Sequence, residues 1–299
     1  MSERPTTGNT EVFDRLLNFR DVATIVNTNA QKPILKLGKL YRSARLDDAS
    51  AADRDKLVHI YKIKTVIDLR SKTEHIEAAQ KYDKFVKPAK SDLVPASNSQ
   101  ISQPLKIPNL NYAEINLNGK GFERHLVWQL SYGNLARLAG LMLFGYRLEG
   151  ISILGKNVLQ PRGLIGLGQD TLQHSGPEIK EVFDVLAMTG NWPVLVHCTQ
   201  GKDRTGLIVL LVLLLCGVSI GSITQDYVMS EPELASEFEE RMQEISSIGL
   251  DESFARCPKE FVPKIVEFIN GTFGGIDRYL DKIGVLEHQR TTIRKHLLV

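Results

Sequence analysis

The stretch "VLVHCTQGKDRTGL", residues 194–207, constrains the fold more than any other part of the chain. Four residues of buried-strand character lead into Cys198, a polar loop with one glycine follows, and an apolar run begins directly after Arg204 and Thr205. A strand passing through a tight loop into a helix aims several backbone N–H groups and the positive end of the helix dipole at one point. That makes an anion site, and phosphate is its natural occupant. A cysteine at the head of such a loop lies where amides and an arginine stabilise a thiolate, so Cys198 reads as an activated nucleophile rather than the structural thiol that most lone cysteines are. Arg204 offers a planar fork of donors that binds two phosphoryl oxygens at once and suits the equatorial oxygens of a pentacoordinate transition state, which lysine does not reproduce.

Around this stretch the chain reads as strands first and helices afterwards. "LNFRDVATIVN" and "KLGKLYRSARL" are read as strands and turns, and cap-type residues at Asp47, Asp48 and Ser50 open a helix through Tyr61. A strand over 64–69 ends at Asp68 and Arg70, the end of a strand at which α/β sheets place their sites. "SKTEHIEAAQKY" restarts a helix, 82–110 has no clear period and reads as a long loop, and 111–117 reads as another strand. Apolar residues at helical spacing from His125 to Leu154, broken by Gly140, Gly145 and Gly150, predict two helices that form either core or an apolar cap over a site. An amphipathic helix over 177–193 feeds the strand "PVLVH", and the remaining third is helical to near Leu298. The expected architecture is one α/β domain over 13–299 with a mainly parallel central sheet flanked by helices. An insertion over 82–165 carries the loop and a helical lid, and residues 1–12 form a flexible tail.

Composition excludes several function classes. With 42 % hydrophobic residues in 299 the chain can bury a sizeable core. Its 37 basic and 35 acidic residues leave a net charge of +2 with no long basic run, which argues against nucleic acid as a partner. Cys198, Cys216 and Cys257 form no CxxC pair, so neither a disulfide framework nor a zinc site is expected, and a reducing compartment fits. "MSERPTTGNTEVF" lacks the apolar centre of a signal peptide, and the longest apolar run, Leu207–Cys216, is too short to span a bilayer. The expectation is a cytosolic protein without an integral membrane segment.

His197-Cys198-Thr199-Gln200-Gly201-Lys202-Asp203-Arg204-Thr205-Gly206 resembles the HCxxGxxR(S/T)G signature of the cysteine-based protein tyrosine phosphatase superfamily. "NFRDV" (18–22), "YRSA" (41–44), "VIDLRSKTE" (66–74) and "DTLQHSG" (170–176) precede it in an order similar to the tyrosine/serine phosphatase group with fungal and secreted mycobacterial and listerial members. The likeness runs over roughly residues 12–299. Ala23-Thr24-Ile25 stands where relatives often carry glycines, and the 82–110 loop has no counterpart in the pattern. The resemblance implies a protein tyrosine phosphatase-like fold and hydrolysis of phosphomonoesters through a phosphocysteine intermediate, with no cofactor and no metal. Phosphotyrosine or phosphoserine proteins are the implied substrates, with phosphoinositides beside them. It also implies that Thr205 hydrogen-bonds the cysteine sulfur and eases breakdown of the intermediate.

Thr199, Gln200, Gly201, Lys202, Asp203 and Arg204 are the expected phosphate-binding residues, and Lys202 is expected to face a second phosphate of the substrate rather than solvent. Protonating the leaving oxygen needs a carboxyl within reach, and three compete: Asp203 first by resemblance, then Asp68, then Asp170, each with a structural role as its alternative. His197 is expected to brace the loop, and Arg20, Asp21 and Arg42 to form a lattice holding the N-terminal strands. Cys216 is read as core and Cys257 as incidental. Two other functions compete: a catalytically silent phospho-binding module, and sulfur transfer or arsenate reduction. An intact Cys198, Arg204 and Thr205 disfavours the first, and the lack of an evident resolving cysteine disfavours the second.

Overall fold

The computed structural model describes residues 13–82 and 105–299, so the expected tail over 1–12 and most of the expected loop over 82–110 lie outside the described residues. The first half of the chain forms β1 (Arg20–Asp21), α1 (Val22–Ala30), β2 (Leu40–Ser43), α2 (Ala51–Asp55), β3 (Thr65–Asp68), α3 (Lys72–Tyr82) and β4 (Asn111–Glu114). Five helices follow: α4 (Lys120–Trp128), α5 (Tyr132–Leu143), α6 (Arg147–Leu154), α7 (Gln160–His174) and α8 (Gly176–Ala187). After β5 (Val194–His197) come α9 (Asp203–Leu215), α10 (Ile220–Val228), α11 (Ser230–Glu233), α12 (Phe238–Ser247), α13 (Phe261–Phe273), α14 (Ile276–Lys282) and α15 (Glu287–Leu297).

The sheet runs β1-β2-β5-β3-β4, with β1 antiparallel to β2 and every other pairing parallel. β5 is its centre, and all four of its residues are fully buried, which is why it reads as an unbroken apolar run instead of an alternating one. Ser43, Asp68 and His197 are register partners, so β2, β3 and β5 end level and the loops leaving them meet at one edge. Behind that edge α9 is apolar on every side and buried from Thr205 to Leu213, packed among Ile179, Val182 and Phe183 of α8 and Val262, Ile265 and Ile269 of α13. Each such aliphatic side chain contributes about 1.5–3 kcal/mol on burial, and together they hold the N-terminus of α9 rigidly behind the loop.

One element differs in type from the sequence expectation. Residues 22–30 are helical where strands and turns were expected. The β-branched Thr24, Ile25 and Val26 favour a strand, but the Asp21 carboxylate caps α1 by accepting from Ala23 N at 2.9 Å, and Val22, Ala23 and Val26 reach the core only from a helix. Asp21 is therefore a helix cap that also accepts from Gly38 N at 2.6 Å, rather than a member of an arginine lattice. The glycine-rich segment 160–174 is helix α7, kinked at Gly163, where φ is +61°. Its glycines weaken helix propensity, yet a Cβ at Gly168 would lie 2.8 Å from Ile265 Cδ1, so this glycine lets α7 pack closely on α13. Over 125–154 two helices were expected and three pieces occur, because the chain also breaks between Trp128 and Tyr132 while Gly140 and Gly150 lie inside α5 and α6; the pieces join α7 through Leu126, Leu130, Leu138, Ile153 and Val158. No described helix is long and apolar enough to cross a membrane.

Candidate active site

Between β5 and α9 the chain turns through Cys198–Lys202, and the carbonyls of that turn are bound from outside. Arg45 N donates to Thr199 O at 3.0 Å, Asn18 Nδ2 to Gln200 O at 2.8 Å, and Arg42 Nη2 to Gly201 O at 2.7 Å. With the carbonyls turned outward, the N–H groups of Gln200, Gly201, Lys202 and Asp203 donate to no described residue. Buried backbone donors are almost always paired, so a run of unpaired ones marks a cradle for an external acceptor. Gly201 makes the turn possible: its φ is +67°, and a Cβ there would stand 1.9 Å from Ser43 O.

The outer supports are themselves fixed. Arg42 and Arg20 both reach Asp226, with Arg20 Nε at 2.9 Å from Oδ1, and Ser230 Oγ accepts from Arg20 Nη2 at 3.0 Å. Burial pushes the Asp226 carboxyl up, but the two guanidinium groups outweigh it and hold it below the usual carboxylate range. The lattice expected at Arg20 and Arg42 thus exists, with Asp226 of α10 as its anion, and it supports the loop as well as the strands.

Cys198 is buried at the head of the loop. His197 beside it is buried too, with Nδ1 at 3.1 Å from Cys198 O and Nε2 at 3.4 Å from Asp68 Oδ2. Asp68 accepts from Arg70 Nε at 3.0 Å and Arg70 Nη2 at 2.8 Å, and Arg70 continues to Asp47. Burial alone would raise the Asp68 carboxyl, but His197 and Arg70 outweigh it and hold it well below the usual range. Asp68 is therefore a carboxylate brace behind His197.

Arg204, one residue into α9, meets a partner that the sequence reading missed. Glu74 of α3 takes it bidentately, Oε2 from Nη1 at 2.7 Å and Oε1 from Nη2 at 2.6 Å, and also accepts from Thr199 Oγ1. Burial pushes the Glu74 carboxyl up, but Arg204 outweighs it and holds it well below the usual range. A guanidinium has two bidentate edges. Glu74 takes Nη1/Nη2, and Nε bonds no described residue, so the Nε/Nη2 edge is left for a second bidentate acceptor. The signal for Glu74 lay in "SKTE": Ser71 and Glu74 make a reciprocal capping box at the start of α3, with Ser71 N to Oε2 at 2.9 Å and Glu74 N to Ser71 Oγ at 3.3 Å.

Lys202 is not where the sequence reading put it. The expectation that its ammonium meets an added phosphate fails in this structure, because the side chain is fully buried and Nζ donates to Asp203 Oδ1 at 2.9 Å and to Phe254 O and Arg256 O at 3.0 Å each. A buried ammonium needs acceptors, and the 252–257 turn supplies them. Thr205 Oγ1 is buried and bonds no described residue, so the implied bond to the cysteine sulfur is not formed here. Asp203 has a side chain 36 % exposed at the first turn of α9, whereas Asp170 is enclosed by Arg162 Nε at 2.9 Å and His125 Nε2 at 3.4 Å and makes no described contact with the loop. The loop thus gathers Cys198, Thr199, Gln200, Gly201, Lys202, Asp203, Arg204 and Thr205. Asp68 stands one layer behind and Asp170 elsewhere.

Gln200, 7 % exposed with Oε1 unpaired, lines a cavity of about 690 Å³ that opens beside the loop. Leu234, Phe238 and Cys257 form apolar parts of its wall; Arg241 is paired with Glu244 and Arg256 with Glu231 and Glu252, and Lys259 adds an ammonium. Burial pushes the Cys257 thiol up to about 12, so this cysteine is an inert wall residue.

A family model described as "Tyrosine phosphatase family" matches residues 12–133 and 156–299. The chain is 32 % identical over 135 residues to a tyrosine-protein phosphatase of Nostoc commune, a span covering 42 % of this chain and 46 % of that one. It is 28 % identical over 129 residues to the triple specificity protein phosphatase PtpB of Mycobacterium tuberculosis, covering 38 % of this chain and 47 % of the relative. The chain thus spans about half the length of the curated relatives it matches.

Proposed function

The chain belongs to the tyrosine phosphatase family, and we propose that it hydrolyses phosphomonoesters in two steps with Cys198 as nucleophile. The observation that supports this best is the loop itself: carbonyls tied back by Asn18, Arg42 and the Arg45 amide, and unpaired N–H groups opposite them between Cys198 and Arg204. The Cys198 sulfur attacks phosphorus, an S–P bond forms and the P–O bond to the leaving alcohol breaks. The loop amides and the Nε/Nη2 edge of Arg204 hold the equatorial oxygens. Asp203 gives its proton to the leaving oxygen. Water then attacks phosphorus, returns a proton to Asp203 and releases phosphate as the P–S bond breaks, with the Thr205 hydroxyl turning to the departing sulfur. Asp203, which accepts from Lys202 through Oδ1, is preferred as the acid because it is still accessible on the loop, while Asp68 is enclosed by Arg70 and His197 and Asp170 is held by Arg162.

The cavity beside Gln200 is the proposed leaving-group cleft. Lys259, the lining cation with no ion-pair partner among the described residues, favours substrates that carry further negative charge beside the phosphomonoester, such as acidic phosphopeptides or polyphosphorylated inositol head groups. The name of the mycobacterial relative speaks of three specificities, which fits a cleft that accepts more than one leaving group.

Leaving-group dependence tests the assignment. Replacing Asp203 with Asn lowers turnover of alkyl phosphates by about 10²–10⁴-fold and of p-nitrophenyl phosphate much less, since p-nitrophenolate leaves without a proton. An equal loss on both removes Asp203 as the acid. Changing Arg204 to Lys lowers kcat by orders of magnitude; a change confined to KM contradicts the bidentate contact in the transition state.

A further inference from the structure

Helix α5 has two apolar faces, and only one of them is covered. Leu135, Leu138 and Leu141 turn inward against Leu126, Ile153 and Val158, while Tyr132, Ala136, Ala139 and Leu143 turn outward at spacings of four, three and four residues. Past the helix the chain turns at Gly145, with φ +84°, and exposes Phe144 and Tyr146. Tyr132, Leu143 and Phe144 are 90, 82 and 77 % exposed, and Trp128 and Met142 extend the patch. A helix apolar all round is ordinarily buried, and an exposed cluster of this kind marks a surface that something covers.

The charge of the segment identifies the cover. Between Arg124 and Leu148 there is no Asp or Glu, and the flanking acids are Glu123 and Glu149. Arg124 and Arg137 are both exposed. A second copy of the same segment would bring the same Arg124 and Arg137 and no Asp or Glu between them, so self-pairing of the hairpin offers these arginines no negative charge. Anionic lipid headgroups supply that negative charge, while the hairpin tip at Leu143-Phe144-Gly145-Tyr146 offers the apolar and aromatic side chains that enter the headgroup boundary. Trp128 and Tyr132 are exposed at the opposite end of α5, so the helix rests along the surface on its outward face, and they are the amphipathic aromatic type enriched at membrane surfaces. The family match stops at residue 133 and resumes at 156, so the tip lies outside the part of the chain that the family pattern describes.

We infer that the α5–α6 hairpin docks the protein on an anionic lipid surface, Leu143 and Phe144 entering the interface and Arg137 contacting headgroups. The inference stands apart from the phosphatase chemistry, and its test needs no turnover. The full chain is sedimented with phosphatidylcholine vesicles and with vesicles containing about 30 % phosphatidylserine. It partitions to the anionic vesicles, less so at high salt, with a blue shift of tryptophan emission. That shift reports Trp128, because the only other tryptophan, Trp192, is already buried. The double substitution Leu143→Asp and Phe144→Asp lowers the partition coefficient by at least about tenfold with the unfolding temperature unchanged. No partition to anionic vesicles, or equal partition by the double variant, overturns the inference. So does self-association of the parent chain that the double variant abolishes, since the patch would then be an interface between copies.

Discussion

Glu74 has both oxygens on Arg204 and a third contact from Thr199, so a single carboxylate sets the arginine's plane and one side of the loop. Replacing Glu74 with Gln keeps the shape and removes the charge. Charge-assisted bonds of this kind are worth about 1.5–3 kcal/mol, so kcat for an aryl phosphate is expected to fall about tenfold to a hundredfold, with inhibition by phosphate changing less because the amide cradle is intact. A loss seen only in KM shows that Glu74 does not hold the transition-state geometry of Arg204. At Gly201 the expectation is harsher: alanine there meets Ser43 O and demands a positive φ, so Gly201→Ala costs several kcal/mol in thermal unfolding or fails to fold. At this scale the sequence was legible where chemistry and spacing coincide, as in the strand, loop and helix start that carry Cys198 and Arg204. Glu74 was hidden because its partner is 130 residues away and because Ser71 and Glu74 already make sense as a helix start.

Lys202 shows what elements do that residues alone do not reveal. Its ammonium joins the phosphate loop to the 252–257 turn, and that turn carries Ala255, Arg256 and Cys257 into the wall of the cleft. Substituting Lys202 with Met strands two buried carbonyls, so the expected cost is about 1–3 kcal/mol of stability together with a loss of kcat/KM that is similar on an aryl phosphate, a phosphotyrosine peptide and an inositol lipid. A loss confined to the inositol lipid instead places the ammonium against substrate. The loop sequence alone suggested a contact with substrate, because a lysine in an anion loop is the simplest partner for a second phosphate; the acceptors that bury it come from a turn some fifty residues on. The same limit governs α1, where the local β-branched preference is overridden by the Asp21 cap and by a core reachable only at helical spacing. By contrast β5 and α9 were plain, since a strand and a helix buried on all sides must be apolar throughout.

Over the whole molecule, the sheet end is ringed by carboxylates paired with buried or half-buried cations: Asp68 with Arg70, Glu74 with Arg204, Asp226 with Arg20 and Arg42. Each is held below its ordinary range, so each contributes stability above the unfolded carboxylate pKa, near pH 4, and loses it as pH falls through the folded value. Burial drives His197 the other way, below its ordinary value, so its contribution is full above about pH 6.5 and declines below. Thermal unfolding followed from about pH 3 to 8 is expected to show a plateau near neutrality, a shallow fall below about pH 6.5 and a steep one below about pH 4. Stability that rises on acidification contradicts the pairing. What this frame holds in place is Cys198, and its role as nucleophile is tested most directly by rapid mixing with a radiolabelled aryl phosphate, denaturing quench and peptide mapping. The account predicts up to one labelled phosphate per chain on the peptide containing Cys198, and none in Cys198→Ser, which still binds phosphate but no longer turns over. Hydrolysis without label at Cys198, by a Cys198→Ser variant within about tenfold of the parent, contradicts it.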